Sequence, residues 1–341
     1  MALVKTNCQL SQIGISANMN LHQNRQLFED AVRAAAQRYK IQEIFIEKDY
    51  WVTVALHEIF HSPMATEAVF KGGTALSKCH KLIERFSEDI DIVVLRKEGE
   101  NDNQLKKKIK AITTAVDKVM PEIEIVGLTN KMGQIRKTVH QYSKAGFSGL
   151  FGHVREFIII EASWLGNYEP YTNELVSCYL TELMVATKQD ALIIEHNMQP
   201  FTVKVLSKER TFCEKIMSLV RFSQTEDAYF DLSNKIRHIY DIHMMLKNDE
   251  LSAFFESPDF DEMLITVGKD DIISFKNNNG WLSNHPSNAI IFLEPEATWY
   301  KIKNTYANFK EMVTGTLPLE SEMVITLKTV SDRLKTINWK L

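Results

Sequence analysis

The sequence predicts an α+β fold, a mixed-sheet region carrying N-terminal helices and followed by a helical C-terminal lobe. Three observations carry this: helical spacing of apolar residues over roughly the first 65 residues, short β-rich runs from Glu67 onward, and helical spacing again after Ser207. The expected division is 1–66 as a helical segment packed on the core, 67–207 as the sheet lobe and 208–341 as the helical lobe. With 341 residues, 45% hydrophobic and 25% charged, the chain is long enough for two or three domains with a substantial core.

The elements follow in order. Residues 27–39 and 41–60 carry apolar residues at helical spacing, and Ser62-Pro63 stops the second helix. Strands are predicted at 68–71, 90–95, 123–126, 138–142, 157–162, 178–185 and 202–205, from β-branched and aromatic residues in short runs. Helices return at 209–222, 232–247, 298–313 and 320–337, the last two separated by Gly315 and Pro318. The stretch Asn277-Asn278-Asn279-Gly280 reads as an exposed loop.

Composition excludes several classes. A formal net charge of −4 and a pI near 6.2 argue against a protein that coats nucleic acid through many phosphate contacts. Two local basic clusters, Lys106, Lys107, Lys108 and Lys110, and Lys131, Arg136 and Lys137, read first as solvated faces. No segment approaches the ~20 apolar residues that cross a bilayer, and no basic region leads into an apolar run at Met1, so a cytoplasmic location is expected. Cys8, Cys79, Cys178 and Cys213 are scattered without a CxxC pair and read as reduced, packed thiols.

The chemistry concentrates between Lys71 and Val94. Val69-Phe70 lead as a strand into Gly72-Gly73, and Thr74 opens a helix with apolar positions Ala75, Leu76, Cys79, Leu82 and Ile83. Thr74, Ser77, Lys78, Lys81 and Arg85 occupy its other, basic face. Two glycines let backbone approach a ligand closely, and free N–H groups at a helix start attract phosphate. The plainer alternative is a tight turn capped by Thr74. Asp89-Ile90-Asp91-Ile92 shifts the balance, because strand alternation puts both carboxylates on one face, their Cα atoms ~7 Å apart. Hard cations such as Mg²⁺ take such oxygen ligands, and two like charges beginning a hydrophobic strand call for compensation.

A two-metal site needs a third acid. Glu161, after Phe157-Ile158-Ile159-Ile160, is the candidate, against the alternative that it marks the solvated end of a strand. Farther on, Lys208, Thr211, Lys215 and Ser218 share one helix face opposite Phe212, Ile216, Leu219 and Val220. Arg237 and Asp241, four apart, are placed to pair with each other.

With these residues assembled, the chain resembles the AbiEii/AbiGii family of nucleotidyltransferase toxins, which includes the MenT-type toxins. The resemblance is carried by four ordered blocks: Glu47-Lys48-Asp49-Tyr50-Trp51-Val52, the Lys71–Ile92 block with its Arg85-Phe86-Ser87-Glu88-Asp89-Ile90-Asp91 core, Glu209-Arg210-Thr211-Phe212-Cys213-Glu214-Lys215, and Arg237-His238-Ile239-Tyr240-Asp241-Ile242. It implies a bilobed protein whose sheet lobe is polymerase-β-like, with the substrate cleft between the lobes. It also implies use of an NTP with Mg²⁺ and, for some MenT-type members, addition of nucleotides to the 3′ end of tRNA. By that match Gly72, Gly73, Thr74 and Ser87 hold the nucleotide, Asp89 and Asp91 the metals, Lys215 the phosphates from the second lobe, and Asp241 has the acidic role of the last block. Ile239 departs from the family pattern, which has tyrosine there. The run from Gly73 to Asp89 is longer than in short polymerase-β motifs and is expected to hold a longer helix.

A competing pattern, His57-Glu58-Ile59-Phe60-His61, matches the zinc-protease signature H-E-x-x-H. Pro63 closes that helix and no third ligand stands at a characteristic spacing, so a structural histidine pair is the better reading. The expected activity is transfer of NMP from NTP to an RNA acceptor, most plausibly tRNA. The alternatives are nucleotidylation of a protein and a non-catalytic role in binding nucleotide or a partner. A toxin of this kind also requires a neutralising antitoxin.

Overall fold

A computed structural model describes residues 18–147, 155–276 and 278–341 of the chain. Alternation along its strands decides how the sheet sits. In β1 (Ala68–Lys71), β2 (Asp89–Val94) and β5 (Phe157–Ser163), residues such as Ile90, Ile92, Ile158 and Ile160 are fully buried in the larger core. The intervening Asp89, Asp91 and Glu161 are only half-buried on the other face. With β3 (Glu122–Ile123), β4 (Ile135–Gln141), β6 (Tyr171–Val176) and β7 (Phe201–Leu206), they form a seven-stranded mixed sheet in the order β3-β4-β5-β2-β1-β7-β6. Strand β2 runs antiparallel to β1 and parallel to β5, which places the segment containing Glu161 beside the one containing Asp91.

The apolar face of this sheet packs in one core with α1 (Arg25–Tyr39), α2 (Glu43–Phe60) and α4 (Asp102–Asp117). Helix α1 turns Phe28, Val32 and Ala35 inward at helical spacing, and α2 is buried along its whole length except at Glu43 and Glu58. Each fully buried Ile, Val or Leu on α2 contributes about 1.5–3 kcal/mol, so this helix is a central beam of the sheet half. The same core takes in α5 (Tyr179–Ala186) and α6 (Asp190–Glu195) through Leu180, Leu183, Met184 and Ile193.

A second core is built from α7 (Lys208–Phe222), α8 (Ala228–Asn234), α9 (Ile236–Leu246), α10 (Asp249–Glu256) and α11 (Pro258–Phe275). It is completed by α12 (Ile290–Leu293), α13 (Pro295–Phe309) and α14 (Glu320–Leu334). Leu76 and Ile83 also belong to this core, so the glycine turn and the segment after it are seated against the helical half.

Several expectations are corrected. Residues 178–185 form helix α5 rather than a strand: Leu180, Leu183 and Met184 are buried at helical spacing, and Asp49 accepts a hydrogen bond from the Tyr179 N–H (2.9 Å). The neighbouring edge strand β6 was masked in the sequence by exposed polar residues, Thr172 and Asn173 among them. The run 232–247 is two helices that break at Lys235, and residues 123–126 keep a strand only at their start. Helices α4, α6, α10, α11 and α12 have no counterpart among the predicted elements. The expected long helix after the glycine turn is α3 (Gly72–Lys78), only seven residues. Beyond it Leu82 and Ile83 lie in irregular chain, because residues 84–86 are drawn into backbone bonding with residues 312–314. Among the cysteines, Cys79, Cys178 and Cys213 are free and mostly buried, while Cys8 lies outside the described residues, as does Asn277 of the expected loop.

Candidate active site

The acidic end is set by sheet register. Asp91 on β2 stands opposite Glu161 on β5, and Asp89 precedes it on the same face. Burial first, then the charges of Glu161 and Asp89, push the Asp91 carboxyl up to about 7. Asp89 Oδ1 accepts from Arg155 Nη1 at 2.9 Å, and Glu161 Oε2 lies 3.5 Å from Lys137 Nζ. Among the described residues no three carboxylate, histidine or cysteine side chains converge closely enough to hold a metal ion. The donor set nonetheless suits a hard cation: it is all oxygen, it repels itself, and Asp89 and Glu161 already neighbour cationic side chains.

Buried ion pairs behind β2 hold it in place. Lys48 on α2 reaches Glu88 (3.2 Å) and the Arg155 carbonyl (2.5 Å), and the Arg155 N–H donates to Glu88 (3.1 Å). Asp49 pairs with Lys78 at the end of α3. Lys48 and Asp49 therefore tie the two segments bearing the carboxylates and the glycine turn to the central helix.

At the turn, Gly72 has φ +81°, and a Cβ there would stand 2.2 Å from Asp91 Oδ2. A Cβ on Gly73 would meet Arg85 Nη2 at 2.5 Å. Gly72 therefore requires glycine for conformation as well as for close approach, and Gly73 for close approach alone. Thr74 does not cap the helix. Its hydroxyl, fully buried, lies 2.9 Å from Ser87 Oγ and donates to the Asp89 carbonyl (2.5 Å).

The opposite wall comes from the helical half. Asp241, 0% exposed, accepts from Arg85 Nε (2.6 Å) and Nη2 (2.8 Å) and from Lys215 Nζ (2.7 Å). Burial opposes its charge, but Arg85 and Lys215 hold its carboxyl well below the usual carboxylate range. Asp241 thus joins α9 to α7 and to the segment preceding β2, and it does not pair with Arg237.

Between these walls lies a cavity of about 580 Å³. Gly72, Gly73, Ser87, Asp89, Asp91, Glu161 and Lys215 line it; Thr74 and Asp241 stand behind its surface. Other groups line it as well. Lys71, Arg221, Lys235 and the acid Asp271 were not singled out, and Arg237 was considered only as a partner for Asp241. Asp271 is pushed up to about 7 by burial and by Glu214. Nothing in the local sequence marks Arg221, Lys235 or Arg237 as one group, because only the packing of α7, α8 and α9 brings them to one wall.

The two sequence patterns set aside earlier resolve locally. The His57 and His61 rings stack with centroids 3.8 Å apart against the edge of Phe201, a packing pair at the end of α2. Lys108 bridges Glu67 and Glu100, and Lys131 and Arg136 share Glu122, so both basic clusters are partly neutralised. No helix is long and apolar enough to cross a membrane among the described residues.

No curated protein matches the sequence. Among solved structures the chain is similar to MenT4, a nucleotidyltransferase toxin from Mycobacterium tuberculosis H37Rv, at 14% identity and a TM-score of 0.40, over 90% of this chain and 98% of that one. The sequence model described as nucleotidyl transferase AbiEii toxin, type IV toxin–antitoxin system, matches residues 54–335, from the middle of α2 to the end of α14. A match over so much of the chain, carrying both walls of the cleft, means that the protein belongs to the AbiEii family of nucleotidyltransferase toxins.

Proposed function

We propose that the protein transfers NMP from an NTP to the hydroxyl of an RNA acceptor, with tRNA the foremost candidate, in a Mg²⁺-dependent reaction that releases pyrophosphate. The observation that carries this reading is the Asp91–Glu161 register, which sets three carboxylates on one sheet face across a cleft from Lys215. In this reading residues 67–207 and 208–341 are the two halves of the cleft, and Asp89, Asp91 and Glu161 hold the metal. Bound Mg²⁺ would lower the charge of the phosphates and favour an ionised acceptor hydroxyl.

The chain's own groups do the rest. The acceptor oxygen forms a bond to the α-phosphorus while the bond from that phosphorus to the bridging oxygen of pyrophosphate breaks. Glu161, the least enclosed of the three acids, accepts the hydroxyl proton. The N–H groups of the Gly72-Gly73 turn and Lys215 offset charge growing on the leaving pyrophosphate. Ser87, beside the turn, orients the phosphates. Thr74 and Asp241 act as positioning residues, the first fixing the turn to β2 and the second aiming Lys215 and Arg85.

Labelled NTPs incubated with total RNA and with cell protein test the reading. Mg²⁺-dependent label on RNA, lost in Asp89→Asn, is expected. Label on protein alone would move the acceptor to a polypeptide, and label on neither, with the fold intact, would count against the proposed transfer. As a toxin of a type IV system the protein is expected to have a neutralising antitoxin partner.

A further inference from the structure

Three cations on the helical wall have no direct ion-pair partner among the described residues, although the charge of Asp271 reaches Arg221. Arg221 ends α7, Lys235 separates α8 from α9, and Arg237 lies in the first turn of α9; all three line the cavity. Among the described residues none makes a side-chain hydrogen bond or ion pair, unlike Lys215 and Arg85 beside them. Burial and, for Lys235 and Arg237, neighbouring cations lower all three from their ordinary values. Gathering like charges away from water is costly unless an anion joins them.

The surroundings define that anion. The Arg221 guanidinium carbon lies 4.3 Å from the Phe275 ring centroid and 4.7 Å from that of Phe222, and Lys235 Nζ lies 4.5 Å from Phe222. Aromatic rings thus pack against Arg221 while no described residue accepts from its N–H groups, which leaves the guanidinium fork for an anion such as phosphate, gripped by two parallel bonds. The first turn of α9 has no side-chain cap, so its backbone N–H groups add to the same positive field. Arg237 feels the charge of Asp89, and Lys235 that of Glu161, so this wall faces the carboxylates across the cleft.

We infer that Arg221, Lys235 and Arg237 form a polyphosphate subsite that holds the β- and γ-phosphates of the NTP from the helical half, so that the triphosphate bridges the two walls. The inference rests on the reading that the chain uses an NTP. It adds three residues to those already placed at the phosphates, and it makes the terminal phosphates, not the base, the main handle on the nucleotide.

Calorimetric titration of the full chain with inorganic tripolyphosphate, a nucleoside monophosphate and total tRNA tests it. Arg237→Gln and Lys235→Gln are each expected to weaken tripolyphosphate binding about 10- to 100-fold, to flatten its salt dependence, and to leave monophosphate binding unchanged. Arg221→Lys keeps the charge but loses the fork, and should weaken tripolyphosphate binding about 10-fold at unchanged melting temperature. Unchanged tripolyphosphate affinity with weakened tRNA binding would overturn the inference and give the wall to acceptor phosphodiesters. Equal loss of monophosphate and tripolyphosphate would overturn it in favour of a packing role. If the wild type binds tripolyphosphate as expected but labels no RNA, the proposed acceptor fails and the subsite stands.

Discussion

Replacing Asp241 by Asn tests whether that residue works as a structural anchor of the cleft. The carboxylate is wholly enclosed and accepts three charge-assisted hydrogen bonds of 2.6, 2.8 and 2.7 Å, from two cations that have no other acidic partner among the described residues. Removing one member of a buried ion network costs about 3–5 kcal/mol, because the remaining charges stay desolvated. At about 2 °C per kcal/mol for a chain of this size, the melting temperature should fall by about 6–10 °C. Differential scanning calorimetry at pH 7.5 measures this directly, with NTP transfer assayed below the transition. Activity should fall at least ~100-fold, since Lys215 loses its aim. The double variant Asp241→Asn with Lys215→Met removes one stranded cation and should regain about half of the lost stability without regaining activity. The carboxyl of Asp241 is depressed in the folded protein, so its contribution is complete above its ordinary value of 3.8 and is lost only on acidification below that. The wild-type and Asn melting curves should therefore converge only below about pH 4. A melting temperature within about 1 °C of wild type at pH 7.5 would refute the anchoring argument.

Three further outcomes follow from the acidic wall and the turn. Asp91 is raised from 3.8 to about 7, so its ionisation costs stability as pH climbs through that interval. The ceiling is about 4 kcal/mol at pH 8, and cleft water should reduce it to about 1–2 kcal/mol. Asp91→Asn should thus melt higher than wild type at pH 8 but not at pH 4, be inactive, and gain none of the stabilisation by Mg²⁺ that the proposed function predicts for wild type; equal melting at pH 8 would sink the repulsion argument. Gly72→Ala puts a Cβ 2.2 Å from Asp91 Oδ2 at a φ of +81°, which should cost about 1–3 kcal/mol from the backbone alone and abolish transfer. Survival of activity would show that the turn can shift. Arg155→Ala frees Asp89 from a partly exposed ion pair worth about 1 kcal/mol, so half-saturation by Mg²⁺ should fall about 5-fold. A rise instead would make Arg155 part of the substrate site.

What could be read in advance depended on how local the cause was. The acidic strand, the glycine turn and the helices of both halves rest on alternation, spacing and stop signals within a few residues. Glu161 was found because a charge interrupts a run of isoleucines, although its register beside Asp91 was invisible across some seventy intervening positions. The failures have non-local causes. Residues 178–185 are β-branched and aromatic enough to suggest a strand, yet α2 supplies the Asp49 cap and the burial that select a helix. The chain after α3 looked helical by spacing, but residues 312–314 offer its backbone other partners. The plainer alternative of Thr74 as a cap fails for the same reason: the Asp89 carbonyl and Ser87 Oγ, brought close by folding, engage its hydroxyl. The paired role of Asp241 could not be anticipated either, since its partners lie 156 and 26 residues away while the visible candidate, Arg237, stood four away.

The contacts that fasten residues 84–86 have a temporal meaning for a growing polypeptide. The Phe86 N–H donates to the Met312 carbonyl (2.7 Å), the Thr314 N–H to the Glu84 carbonyl (2.8 Å), and Arg85 between them reaches Asp241. A ribosome must therefore have synthesised the chain through α9 before Arg85 finds its anchor, and through residue 314 before that segment is clamped. Nascent chains and truncated products that stop earlier carry the acidic strand and the glycine turn without the opposing wall. For a toxin this delays the hazard until residue 314 has been made, and a cell that cuts the chain between α9 and α14 would loosen the cleft without touching one of its carboxylates.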